Sequence, residues 1–256
     1  MGGLKLNLLF LCRLMVYILI RLTHARHVIS PPHKTILMFT DFYRAFYYSV
    51  LIIAAAIGLL YIAKVDKAFR WICLLLILTT ISELVARYFK SHHENNNIVY
   101  VIFTPVEYFV YAMIYKMFFD DKKWTKILFI SVAGLIFLEL INTIFFQPIS
   151  ETPTNIMDIE SVLLVILSLK LFISIREKPV FDNILKEGVF WFNSAVLFYY
   201  SFDILFWGFH NLVFRLENPP AIIYNSLLLF SGFLYLVFAL AVLLNFNAVT
   251  KTIITA

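Results

Sequence analysis

Seven times along this 256-residue chain, a long apolar run is closed off by a short cluster of charge, amide or proline. A helix crossing hydrocarbon needs about 20 mostly apolar residues, because no water is present to satisfy a free backbone group. The runs are Ala45–Ala63, Arg70–Phe89, Ile98–Phe119, Thr125–Phe146, Asn155–Ile175, Gly188–Phe209 and Ala221–Asn245. Between them stand Lys64-Val65-Asp66-Lys67, Asp120-Asp121-Lys122-Lys123, Gln147-Pro148, Lys178-Pro179 and Asn218-Pro219-Pro220. The pattern predicts an all-α, polytopic transmembrane helical bundle with seven core spans within residues 38–256.

Composition agrees. Hydrophobic residues make up 62% of the chain and charged residues 14%, against roughly half and about a quarter in a soluble domain. A soluble fold of this length has no interior large enough for so much apolar surface. Disorder, a disulfide-stapled secreted domain and a nucleic-acid partner are all excluded at this step. In a membrane protein a net charge of +5 more often reflects cytoplasmic loops than a surface for an acidic partner. Cys12 and Cys73 lie in separate apolar runs and read as small buried hydrophobes, not as a disulfide or thiolate metal site.

Residues 1–37 stand apart as an N-terminal leader or extra anchor. Leu4 to Leu22 is apolar enough to insert, but Arg13 lies at its centre, where a charge costs about 2.5–3.5 kcal/mol on insertion scales. Thr23-His24-Ala25 is a poor cleavage site for a signal peptide.

Loop charge predicts direction. One side collects Lys64, Lys67, Arg70, Lys116, Lys122, Lys123, Lys126, Arg176, Lys178, Lys186 and Lys251; the other has Arg87, Lys90 and Arg215. The positive-inside rule then puts the start of the first core span outside and the C-terminus in the cytoplasm, in the cell inner membrane. Arg21, Arg26 and Lys34 of the leader run against this asymmetry.

Polar groups at membrane depth are costly and usually face a bundle interior or a wet cavity. Glu83 and Arg87 lie four residues apart and share a helix face; an intrahelical ion pair is the plain alternative. Tyr100, Thr104, Glu107, Tyr111 and Tyr115 follow 3–4 spacing. Glu107 lies near mid-membrane two residues after Pro105, with no basic residue within a turn. Glu139, Asn142, Asp203 and Asn225 also fall in outer halves, while Asn193 is deeper. A polar cavity open to the exterior is therefore expected. Its candidate ligand-binding residues are Glu83, Arg87, Tyr100, Glu107, Glu139, Asn142, Asn193, Asp203 and Asn225. Asp158 and Glu160 read as helix-end residues at headgroup level, Lys170 as an interfacial anchor, and Gly232 as a point of close helix approach.

Established chemistries find little support. The last span has no lysine for a retinal Schiff base, and no HxxxH pair, phosphate loop, GxSxG elbow or CxxC is present. No catalytic residue is assigned, and no metal or cofactor is expected.

The stretch Ser82-Glu83-Leu84-Val85-Ala86, followed by Asn97, Tyr100 and Val106-Glu107, resembles a pattern recurring in an uncharacterised family of multi-spanning membrane proteins common in Bacteroidota. Phe190-Trp191-Phe192-Asn193-Ser194, with Tyr199 and Ser201, resembles it too. The likeness covers the second to seventh spans and implies a seven-span bundle, in a family often encoded beside signalling genes, without implying an activity. The chain departs from the pattern at Phe202, where a small residue is usual.

The resulting expectation is a sensor or accessory signalling protein that binds a small or lipidic ligand in the outer cavity. Its partners would be the bilayer, that ligand and a membrane signalling protein. Trp191 and Asn193 would couple the sixth span to the inner loops. One alternative is an intramembrane lipid- or envelope-modifying enzyme using Glu107, Glu139 and Asp203 as acid/base groups; another is a structural subunit of a membrane complex.

Overall fold

The computed structural model describes residues 31–119, 121–177, 184–213 and 221–255. Residues 1–30, the bulk of the leader, lie outside the described residues. Seven α-helices account for nearly all of the rest: α1 (Pro31–Tyr61), α2 (Lys67–Ser91), α3 (Asn97–Phe118), α4 (Lys122–Phe145), α5 (Thr154–Glu177), α6 (Gly188–Val213) and α7 (Ala221–Thr255). A single 3-10 turn, Ile184–Lys186, precedes α6. No strand occurs among the described residues.

Six of these helices are long and apolar enough to cross a membrane, and the chain is a multi-pass helical membrane protein. The helix that falls short of the seven expected is α5, whose sequence is interrupted by Asp158, Glu160 and Lys170. Its polar groups are accommodated by protein rather than lipid. Glu160 is buried against the bundle, and Lys170 Nζ lies 5.7 Å from the Trp124 ring centroid.

Helix packing arranges the bundle as a ring with one helix outside it. α1 contacts α7 and α2, α2 contacts α3, α3 contacts α5, α5 contacts α6, and α6 returns to α7. The outlier is α4, whose main contacts among the described residues are with α3 and α5. Its opposite face is apolar and bare, with Phe137, Ile144 and Phe145 all strongly exposed, as suits a lipid-facing surface.

Small residues set the closest approaches. A Cβ at Gly188 would collide with the carbonyl oxygen of Ala241 on α7. One at Gly232 would sit 2.6 Å from the Phe46 ring, so glycine lets α1 and α7 approach closely there without displacing that side chain. At the end of the bundle holding the α1–α2 turn, Asp66 and Asn245 bond reciprocally. The Asp66 amide donates to Asn245 Oδ1 at 3.0 Å, and Asn245 Nδ2 donates to Asp66 Oδ2 at 2.7 Å.

Candidate functional site

The six ring helices enclose a cavity of about 490 Å³ at one end of the bundle. It is lined by the middle of α1, the early turns of α3, α5 and α7, and the later turns of α2 and α6. In a chain that alternates direction, these are the same end, so polar residues spread through the sequence meet at one depth. No residue of α4 lines it.

Acidic groups dominate the deep part. Glu107 on α3 accepts the Tyr200 hydroxyl at 3.4 Å. Asp203 on α6 accepts the Ser161 hydroxyl of α5 on Oδ2 at 2.9 Å, and the Trp207 indole lies beside its carboxyl, while its Oδ1 has no partner within hydrogen-bond geometry. Glu160 on α5 and Asn225 on α7 likewise leave Oε1 and Oδ1 without one. Each of these three side chains is more than nine-tenths buried, at 4%, 5% and 7% exposure for Glu160, Asp203 and Asn225. Glu83 completes the acidic set, with the Tyr47 hydroxyl beside its carboxyl.

Aromatic rings form much of the wall, including Tyr47, Tyr100, Tyr199, Tyr235 and Trp207. The Tyr199 hydroxyl shares a 3.1 Å hydrogen bond with Ser231, whose own hydroxyl donates to the Leu227 carbonyl at 2.9 Å. Below the floor lies a dry aromatic layer. Tyr111 meets Tyr200 edge-on with centroids 5.6 Å apart, and Phe192 and Phe238 pack at 5.0 Å. All three of Tyr111, Phe192 and Phe238 are fully buried.

The mouth differs in charge from the floor. Arg44 and Lys90 line it and are exposed. The rim is fixed by amide bonds between two loops: Asn95 Nδ2 donates to the Ile149 carbonyl at 2.8 Å, Asn97 Nδ2 to the Ser150 carbonyl at 2.6 Å, and the Thr152 hydroxyl to Asn97 Oδ1 at 3.1 Å.

Of the residues expected here, Glu83, Tyr100, Glu107, Asp203 and Asn225 line the cavity. Four do not. Arg87 is exposed, with its guanidinium 4.7 Å from the Tyr48 ring centroid rather than paired with Glu83. Glu139 and Asn142 are carried by α4, outside the ring. Glu139 accepts the Thr143 hydroxyl of its own helix at 3.2 Å. Asn142 clips the α4–α5 loop, donating to Gln147 Oε1 at 3.1 Å and accepting from Asn155 Nδ2 at 3.0 Å. Asn193 does not line the cavity and is a buried interhelical tie: its Oδ1 accepts the Tyr115 hydroxyl at 3.1 Å and its Nδ2 donates to the Ser168 carbonyl at 2.9 Å.

Glu160 moves the other way, from presumed headgroup level to the cavity wall, where it is buried. The tyrosines of α1 and Tyr199 also went unsignalled, since an apolar run tolerates tyrosine without marking a face. Among the described residues no three His, Cys, Asp or Glu side chains are arranged to hold a metal ion. The arrangement can accept hydrogen bonds from a donor-rich guest, hold a cation, or pass a proton between neighbouring carboxyls.

No family model matches the chain, and neither a curated protein nor a solved structure matches it.

Proposed function

We propose that this chain is a ligand-binding membrane protein, a sensor or accessory of a membrane signalling system, whose ligand enters the polar cavity from the exterior. The observation that carries the reading is that residues with buried oxygens lacking hydrogen-bond partners, Glu160 Oε1, Asp203 Oδ1 and Asn225 Oδ1 together with the Thr79 hydroxyl, line one cavity of about 490 Å³. Leaving a buried polar group unsatisfied costs about 1–3 kcal/mol, and a cavity of this size is typical of small-molecule sites. A ligand that fills these bonds offsets that cost.

Orientation follows from charge. The end away from the cavity carries Lys64, Lys67, Lys116, Lys122, Lys123 and Arg176, so the positive-inside rule turns the cavity outward in the cytoplasmic membrane. α6 supplies a route for a signal. Its late turns carry Tyr199, Tyr200 and Asp203 at the cavity, and near its start Trp191 Nε1 donates to the Leu185 carbonyl of the 3-10 turn at 2.8 Å.

Native mass spectrometry of protein extracted in mild detergent tests the reading. Wild-type protein should carry a discrete small-molecule or lipid adduct, and Ser231→Trp, which fills the cavity, should lose it. A bare wild-type mass, or an adduct retained by the filled variant, contradicts the proposal.

A further inference from the structure

Resting on the ligand-binding reading above, we infer that the ligand presents a primary ammonium group to the cavity floor, where Glu160, Asp203 and Asn225 receive it. Hydrogen-bonding roles in the cavity are out of balance. Apart from the Thr79 hydroxyl, the lining atoms left without partners, Glu160 Oε1, Asp203 Oδ1 and Asn225 Oδ1, are all acceptors in the form a cation would meet. They come from three helices, α5, α6 and α7, and all line the same cavity. A guest that satisfies them must bring several donors. A primary ammonium has three N–H donors and no acceptor that would need a partner of its own.

Charge selects the same group. Glu83, Glu107, Glu160 and Asp203 line the cavity, and the cationic side chains among its lining, Arg44 and Lys90, are exposed at the mouth. An anionic group driven to the floor would meet carboxylates without a counter-charge. A quaternary ammonium would gain attraction from the tyrosine and tryptophan faces, but it carries no N–H and leaves the three oxygens as they are. A neutral alcohol brings one donor and no charge.

The ammonium could belong to a free amine from the exterior or to the headgroup of an aminophospholipid. In the second case Arg44 and Lys90 are placed to meet the phosphate as the amine points inward.

The test uses the full chain purified in detergent and reads the shift of its thermal unfolding midpoint across concentration. Four probes share one tail: hexylammonium, hexyltrimethylammonium, 1-hexanol and hexanoate. Two short-chain lipids, dihexanoyl phosphatidylethanolamine and dihexanoyl phosphatidylcholine, share another. Hexylammonium, the ethanolamine lipid or both should bind at least about tenfold more tightly than their matched partners, as charge-assisted hydrogen bonds require. Preference for hexylammonium with no response to either lipid assigns a free amine; preference confined to the lipid pair assigns a headgroup.

Glu160→Gln and Asp203→Asn should each erase about tenfold of the preference, whereas Glu139→Gln, on the outer helix, should leave it intact. If a carboxyl variant fails to fold, Asn225→Ala carries the same expectation. Equal binding of all heads, or tighter binding of the trimethylammonium or choline forms, overturns the ammonium assignment while leaving a ligand-binding cavity. Absence of any response to the amines also overturns it, and the native-mass adduct then decides the broader reading by itself.

Discussion

Tyr200 on α6 donates its hydroxyl to Glu107 Oε1 on α3 at 3.4 Å, joining two opposed helices across the cavity floor. The bond is long for one between oxygens, so it orients the carboxyl more than it stabilises the bundle. Tyr200→Phe keeps the ring and its edge contact with Tyr111. It should cost no more than about 1 kcal/mol in denaturant unfolding, while weakening ligand binding measured on the same preparation. A larger stability loss with unchanged binding would make Tyr200 a structural residue.

Asn193 should behave in the opposite way. It is fully buried and ties α3, α5 and α6 through Tyr115 and Ser168. Asn193→Leu strands both partners. Interhelical polar bonds in membrane proteins average below about 1 kcal/mol and reach about 2, so two together should cost about 1–3 kcal/mol. Because Asn193 does not line the cavity, the ligand response of the folded fraction should match wild type.

The contrast between these two residues shows what the sequence can and cannot reveal. Helix positions largely follow from the apolar runs: Ile98–Phe119 became Asn97–Phe118 and Gly188–Phe209 became Gly188–Val213, but α1 starts at Pro31, well before Ala45, and α7 runs on to Thr255 past Asn245. Depth is also legible, since alternating direction places Glu83, Glu107, Asp203 and Asn225 at one end. Azimuth is not. Glu139 and Asp203 have comparable depth, yet one sits on a helix outside the ring and the other on its inner face. That difference depends on how helices pack, which no single span encodes. The same uncertainty hid Glu160, whose place near a helix start suits a headgroup-level residue equally well.

Glycine packing gives a prediction independent of the cavity. Gly188→Ala would drive a Cβ into the Ala241 carbonyl, a backbone atom that cannot swing aside, and should destabilise by about 1–3 kcal/mol. Gly134→Ala has open space, with nothing within 4 Å of the added carbon, and should be neutral. Thermal unfolding of both variants in one detergent checks the pair; equal effects would contradict the α6–α7 seam.

Loop amides should govern the rim. Asn97 both donates to Ser150 and accepts from Thr152. Asn97→Ala should loosen the α2–α3 turn from the α4–α5 loop and speed hydrogen exchange in residues 148–153, with little change at the Asp66–Asn245 pair on the far end. Uniform exchange changes across both ends would refute a local role.

The account stands or falls on whether the cavity is wet and faces outward. In a cysteine-free background, Ser231→Cys and Asn225→Cys, both on the cavity lining, should react with a membrane-impermeant thiol reagent added to intact cells, while Ala239→Cys, on the same helix but outside that lining, should not. Protection of both cavity cysteines in well-expressed protein, or labelling only after the cytoplasmic side is opened, would contradict it.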